Sequence, residues 1–234
     1  MLKRAERQIE KKRVFHGLSV ILLLALIFLP LNLAGSDLSP QEIARQLEKK
    51  IKSINTLRAD FKQYYYPAGL QEPLVGEGQV YLSRPDRMRW EYSSPEKQVF
   101  LLKEGNFWLY FPEDRQLIKN ASSSEVQESE ILGLLSGNYS IIERYLLEFN
   151  PFPTDRPRVY QLKLTPKEDS QFTYILLEID RETWLITKAI FFEPAGSKLE
   201  YHFLKIRLNH RIPESVFNLK IPPDTEIIET GIIK

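Results

Sequence analysis

The chain has 234 residues, of which 32 are Lys or Arg and 31 Asp or Glu, for a formal charge of +1. That even balance is not that of a protein built to neutralise nucleic-acid phosphates. There is no cysteine, which excludes disulfides, thiolate metal ligands and a thioether-linked lipid.

The first 36 residues are laid out as an export signal. Lys3, Arg4, Arg7, Lys11, Lys12 and Arg13 form a basic stretch diluted by Glu6 and Glu10. Leu18 to Leu33 is apolar apart from Ser19, Pro30 and Asn32, and Ala34-Gly35-Ser36 then places small residues at both cleavage-defining positions. Cleavage after Ser36 is the reading this triplet favours. Retention as a membrane anchor is the alternative, because the apolar run approaches the length of a span. Residues 31–36 also resemble a lipoprotein signal with serine in place of the lipidated cysteine. Removing this segment, with its six basic and two acidic side chains, moves the charge from +1 to about −3. No second long apolar run follows, so 37–234 is expected to be one soluble domain resting on its core alone.

Ser39-Pro40-Gln41-Glu42 is a capping box with proline at the first helical position. Ile43, Leu47, Ile51, Ile54 and Leu57 follow at offsets of four, four, three and three. The spacing predicts an amphipathic helix of about 18 residues, from 40 to 57. Lys49, Lys50 and Lys52 complement its dipole near the C-terminal end.

From there the pattern changes to short β-branched and aromatic segments separated by turn residues. Strands are predicted at 59–66, 74–83, 87–93, 97–103, 106–111, 115–119, 159–165, 172–180, 184–193 and 199–209. The connections Pro85-Asp86, Ser94-Pro95, Glu104-Gly105-Asn106 and 194–197 are hairpin-like, which predicts an antiparallel meander. Met88, Trp90 and Tyr92 alternate with Arg87, Arg89 and Glu91, so one face of that strand is apolar. In the strand before it, Val80, Leu82 and Arg84 share a face. A guanidinium on an apolar face is costly unless something accepts its hydrogen bonds. A cover over that face is therefore expected.

Between 121 and 150 the strand series is interrupted. Ala121 to Ser124 is a polar linker, and Glu125 to Glu130 is an acidic run without the glycine and spacing of a calcium loop, read as a solvated helix start. Ile131-Leu132-Gly133-Leu134-Leu135-Ser136-Gly137 is almost continuously apolar. It is either a helix capping the core or a mobile cover over an apolar cavity. Ser140 to Phe149, with Ile141, Ile142, Tyr145, Leu146 and Phe149, is predicted as a second short helix.

Catalytic motifs are missing. His16 lies in the signal, and His202 and His210 are too far apart along one strand to share a metal. No nucleophile elbow, zinc-protease helix, dinucleotide fingerprint or Walker loop occurs. Nothing singles out a catalytic residue, a metal ligand or a cofactor, and no enzyme is expected. Phe107 to Phe111 and Tyr174 to Leu177 are apolar at successive positions, so some strands need cover on both faces. One cover is the N-terminal helix; the other is the 131–149 region, a ligand, or both.

Five stretches, in order, carry a family resemblance: Ala59-Asp60-Phe61-Lys62-Gln63; Gly76 to Tyr92, with Pro95 and Gln98 beyond; Glu104-Gly105-Asn106-Phe107-Trp108-Leu109-Tyr110; Leu164-Thr165-Pro166-Lys167; and Val216 to Pro223. Together they resemble the LolA family of periplasmic outer-membrane lipoprotein carriers, from about Leu38 to Ile228. The third departs from the family pattern, with glutamate for the usual aspartate and the aromatics offset by one. The resemblance implies an α+β, mainly β fold: a curved antiparallel open half-barrel with an N-terminal helix, its concave apolar face covered by short lid helices from about 121–150. It implies a carrier, monomeric, that shields lipoprotein acyl chains between an inner-membrane ATP-driven release complex and an outer-membrane lipoprotein receptor. Arg84 would latch the lid, Ile131, Leu132, Leu134 and Leu135 would form the lid's apolar face, and Phe61, Val80, Leu82, Met88, Trp90 and Phe107 would line the cavity. A lipid- or lipoprotein-sensing regulator on the same half-barrel, a carrier of another amphiphile such as a glycolipid, and an envelope hydrolase are the alternatives.

Overall fold

The computed structural model describes residues 38–119, 129–153 and 155–229. The predicted signal segment, 1–36, and the linker and acidic run up to residue 128 lie outside the described residues.

Helix α1 spans Pro40–Lys52, and the Ser39 hydroxyl accepts the Glu42 N–H at 3.2 Å, as the capping box requires. Ile43, Ala44, Leu47 and Ile51 face inward. The helix is shorter than the predicted 40–57. The Ser53 N–H closes on the carbonyls of Lys49 and Lys50, and Ile54 N–H bonds Ile51 O at 3.2 Å, turning the chain into strand β1. Ile54 and Leu57 continue the helical stripe in sequence because the turn and the strand feed the same core.

Twelve strands follow: β1 (Thr56–Tyr66), β2 (Leu74–Ser83), β3 (Arg87–Ser94), β4 (Gln98–Lys103), β5 (Asn106–Phe111), β6 (Gln116–Lys119), β7 (Tyr145–Phe149), β8 (Val159–Pro166), β9 (Tyr174–Asp180), β10 (Ile186–Phe192), β11 (Lys198–Leu208) and β12 (Glu226–Glu229). They form one open, curved sheet in the order β12-β6-β5-β4-β3-β2-β1-β11-β10-β9-β8-β7, not closed into a barrel. Besides the pairing of β1 with β11, which joins two meanders, two features differ from the expected arrangement. Residues 140–149 are helical only at α3 (Ile141–Arg144); Tyr145–Phe149 is strand β7, where Tyr145 and Leu147 are buried and Leu146 and Glu148 exposed. That is the alternation of a half-buried strand. And β12 pairs parallel with β6, with Glu226 opposite Gln116 and Glu229 opposite Lys119. Ion pairs Arg115–Asp224 and Lys119–Glu229 tie the two together.

The register assembles the core on the concave face, where α1 lies. Across β1 to β6 one row reads Ala59, Val80, Trp90, Phe100, Leu109, Ile118, and the next Leu57, Leu82, Met88, Leu102, Phe107. Gly78 is demanded by close approach: a Cβ there would stand 2.0 Å from Glu91 O and 2.7 Å from the Phe61 ring. Its absence lets Phe61 lie against Trp90 (centroids 4.4 Å) and Tyr92 (4.9 Å).

The convex face is covered differently. A short 3-10 helix (Glu214–Phe217) and the residues after it cross β3–β6, burying Phe217 and packing Leu219 on Val99, Tyr110 and Leu117. Arg89 donates to Val216 O at 3.3 Å and Lys103 to Asn218 Oδ1 at 3.0 Å, which hold this strap down. Towards β10 and β11 the convex face carries charge. Glu200, 8% exposed, receives Lys188 at 2.7 Å and His202 Nε2 at 2.5 Å. Burial alone would raise its carboxyl pKa, but the hydrogen bonds from His202 and Lys188 outweigh that and hold it at about 2.

Candidate functional site

Strand β2 delivers Arg84 to the end of the concave face, one step beyond Leu82 in the pleat. The Arg84 N–H bonds Asn55 O at 2.9 Å, so the backbone itself is clamped to the turn after α1. Its side chain makes three bonds to main-chain carbonyls. Nε donates to Ile54 O at 2.8 Å, and Nη2 donates to Ile51 O at 3.0 Å and to Ser136 O at 2.7 Å. Ser136 is the last residue of helix α2 (Ser129–Ser136). The resemblance implies lid carbonyls as acceptors. One of the three is such a carbonyl; the other two belong to the end of α1 and the turn beyond it. The cost of a guanidinium on an apolar face is thereby offset by charge-assisted bonds, each contributing roughly 1.5–3 kcal/mol.

Helix α2 takes up most of the apolar segment 131–137 and lies against the core. Ile131, Leu132 and Leu134 are buried beneath it, and Leu135 is half-buried. Leu135 faces Ile54, Leu57, Ala59 and Phe203 across a gap of about 20 Å³, space on the order of one or two waters. Of the predicted lining residues, Phe61, Val80, Leu82, Met88 and Trp90 are buried side by side, while Phe107, toward the β6 side, is only half-buried. Trp90, at 0% exposure, is ringed by Phe61, Tyr201 and Phe203, and its indole N–H has no hydrogen-bond acceptor among the described residues. Around Trp90 the concave face is filled by the protein's own side chains. Outside the lid, a groove of about 280 Å³ lined by Leu82, Met88, Leu102, Ser136 and Asn138 borders Arg84.

Other residues that hold the cover give no signal in the sequence. Glu48, on α1, accepts the N–H groups of Ile141 (2.6 Å) and Ile142 (3.3 Å) and the Ser140 hydroxyl (3.1 Å), docking the start of α3 on α1. Glu130 is predicted in a solvated helix start; its side chain is instead 13% exposed and bonds the hydroxyls of Tyr139 and Tyr145. These partners lie 9, 15 and about 90 residues apart, beyond any local spacing rule.

The sheet and helices define an open half-barrel with an apolar concave face, and Arg84 bonds the last residue of the helix lying over it. The chain belongs to the LolA family: the family described as "Outer membrane lipoprotein carrier protein LolA" matches residues 52–220. Relatives include the outer-membrane lipoprotein carrier proteins of Methylococcus capsulatus, 25% identical over 209 residues (87% of this chain, 96% of that one), and of Chromohalobacter salexigens, 27% over 190 residues (80% and 87%). Among solved structures, an uncharacterised conserved protein from Thermus thermophilus is similar in fold, with a TM-score of 0.54 at 14% identity over 81% of this chain and 98% of that one.

Proposed function

We propose that this protein is a periplasmic carrier that shields the acyl chains of lipoproteins on its concave face and ferries them from the inner to the outer membrane. The observation that carries the reading is the bond from Arg84 to Ser136 O. It fastens the C-terminal end of a helix with an apolar underside over an apolar sheet. Membership of the LolA family supports the same reading. In this role Phe61, Val80, Leu82, Met88, Trp90 and Phe107 would meet the acyl chains once Ile131, Leu132, Leu134 and Leu135 are lifted away. No step of the role needs a catalytic residue, metal or cofactor.

Magnitudes decide what opening requires. At ~0.8 kcal/mol per methylene, three chains of about 15 methylenes represent on the order of 36 kcal/mol of exposure to water. The three buried lid side chains contribute roughly 1.5–3 kcal/mol each on closure. Acyl chains therefore outcompete the lid for the concave face, and release has to be into another apolar environment rather than water. An ATP-driven release complex upstream and an outer-membrane receptor downstream are the partners such a cycle calls for. The export segment would place the carrier in the periplasm, cleaved after Ser36.

The test is transfer of a synthetic triacylated lipopeptide. Wild-type protein should bind it and pass it to acceptor vesicles. Arg84→Leu, lacking the bond that favours the closed state, should bind it and retain it. Failure of wild type to bind the lipopeptide in detergent-free buffer would sink the carrier reading. N-terminal sequencing of the exported protein checks the cleavage position.

A further inference from the structure

Arg84 holds only one end of the lid helix. The other end is held by a separate cluster. Glu130, in the first turn of α2, accepts the Tyr139 hydroxyl on Oε1 at 2.8 Å and the Tyr145 hydroxyl on the same oxygen. The Tyr139 hydroxyl also lies 3.2 Å from Glu130 O. Arg144 stands 3.8 Å from Glu130 Oε2 and 4.1 Å over the Tyr139 ring. Burial pushes the pKa of both phenols up, so each remains a donor.

Tyr139, in the segment that follows α2, folds back along the helix. A Cβ at Gly133 would come within 2.3 Å of the Tyr139 ring, so the ring occupies the space that glycine leaves, and its hydroxyl reaches back to the first turn. Tyr145 is the first residue of β7 and pairs with Pro166 on β8. The Glu130 end is therefore moored to the sheet.

Chain connectivity then says which end can travel. Only Gly137 to Ser140 separate the C-terminal end of α2 from α3, whose first residues are pinned to α1 through Glu48. An elbow that short keeps the Ser136 end close to Arg84 whether or not the Arg84 bond is made. Wide exposure of the concave face needs the opposite end to leave. We infer that the Glu130–Tyr139–Tyr145–Arg144 cluster is a second latch, and that the lid opens by releasing Glu130 and swinging about the 137–140 elbow. The inference rests on the reading of α2 as a lid. It assigns Glu130 and the two tyrosines as positioning residues for lipid uptake, with Arg84 acting at the pivot.

The absence of cysteine allows a direct test. A single Leu134→Cys on the buried lid face reports opening through its rate of reaction with a maleimide, with no lipid present. Ala189→Cys, buried in the sheet under β10's neighbours, reports global unfolding. Tyr139→Phe and Tyr145→Phe should each speed modification at 134 by about three- to tenfold, the worth of one hydrogen bond. Together they should exceed tenfold with Arg84 intact, while position 189 stays unreactive. Gly133→Ala, which displaces the Tyr139 ring, should act in the same direction. Rates at 134 within twofold of the parent for the double tyrosine variant would overturn the second latch, as would acceleration only when Arg84→Leu is also present. The assay contains no lipopeptide, so a failed carrier reading and a failed latch give different results.

Discussion

The two halves of the concave face are finished differently. Across β8 to β10, Leu162, Leu164, Ile175, Leu177, Ile179, Ala189 and Phe191 are sealed from solvent. Across β4 to β6, burial declines along each cross-strand row. Trp90, Phe100 and Leu109 are buried but Ile118 is not; Met88 is buried but Leu102 and Phe107 are not, and Phe111 is likewise half-exposed. The first half behaves as an ordinary core, where packing supplies stability. The second leaves aromatic and aliphatic surface within reach of water, which a protein keeps at some cost to solubility and to its own stability. The difference teaches that one sheet can be a sealed core at one end and leave apolar surface partly exposed at the other.

Substitutions can break or sharpen that contrast. The largest effect is expected at its centre: Phe61→Ala, beneath the ring cluster with Trp90 and Tyr92, should cost about 3–5 kcal/mol in urea denaturation. Phe107→Ala should cost about 1 kcal/mol, since less surface returns to water. Equal losses at the two positions would show that the halves are packed alike. On the convex side, Glu200→Gln should cost about 1–3 kcal/mol, because a neutral amide replaces the carboxylate that Lys188 and His202 bond. Glu200 also carries a pH signature. Its carboxyl pKa falls from an ordinary 4.5 to about 2 on folding. Stability from it is therefore full above pH 4.5 and lost as the pH falls from 4.5 through 2. Acid titration of the unfolding midpoint should show that loss in wild type and less of it in Glu200→Gln. The smallest effect belongs to the fully displayed aromatic beyond β7: Phe152→Ser should change stability by no more than about 0.5 kcal/mol in the same denaturation assay.

How much can be read from the residues alone follows from range. Alternation in Met88, Trp90 and Tyr92 is a local property, and the sheet's inner face comes directly from it. Arg84 is conspicuous because a charge continues an apolar alternation, and that anomaly points to the cover before any coordinates do. Where apolar residues serve two periods at once, the reading fails. Ile54 and Leu57 extend a helical stripe but sit in a turn and a strand. Tyr145, Leu146 and Phe149 fit a helix by spacing, yet only Tyr145 and Leu147 turn inward, as a strand dictates. The four-residue β12 is too short to signal, and its parallel pairing with β6 is a tertiary choice. Glu48, Glu130 and Tyr139 are invisible as a set because their meaning lies in contacts between distant segments.

The three carbonyls that Arg84 holds have a consequence for what the position demands. They come from the end of α1, the turn after it and the end of the lid, and they converge on a flat group with donors in fixed directions. A lysine there would preserve the positive charge but present one compact ammonium, without a planar fork to match acceptors on three segments. Shape, more than sign, is what this corner of the molecule selects. Arg84→Lys and Arg84→Leu should therefore resemble each other, and both should loosen the last turn of α1 as well as the lid.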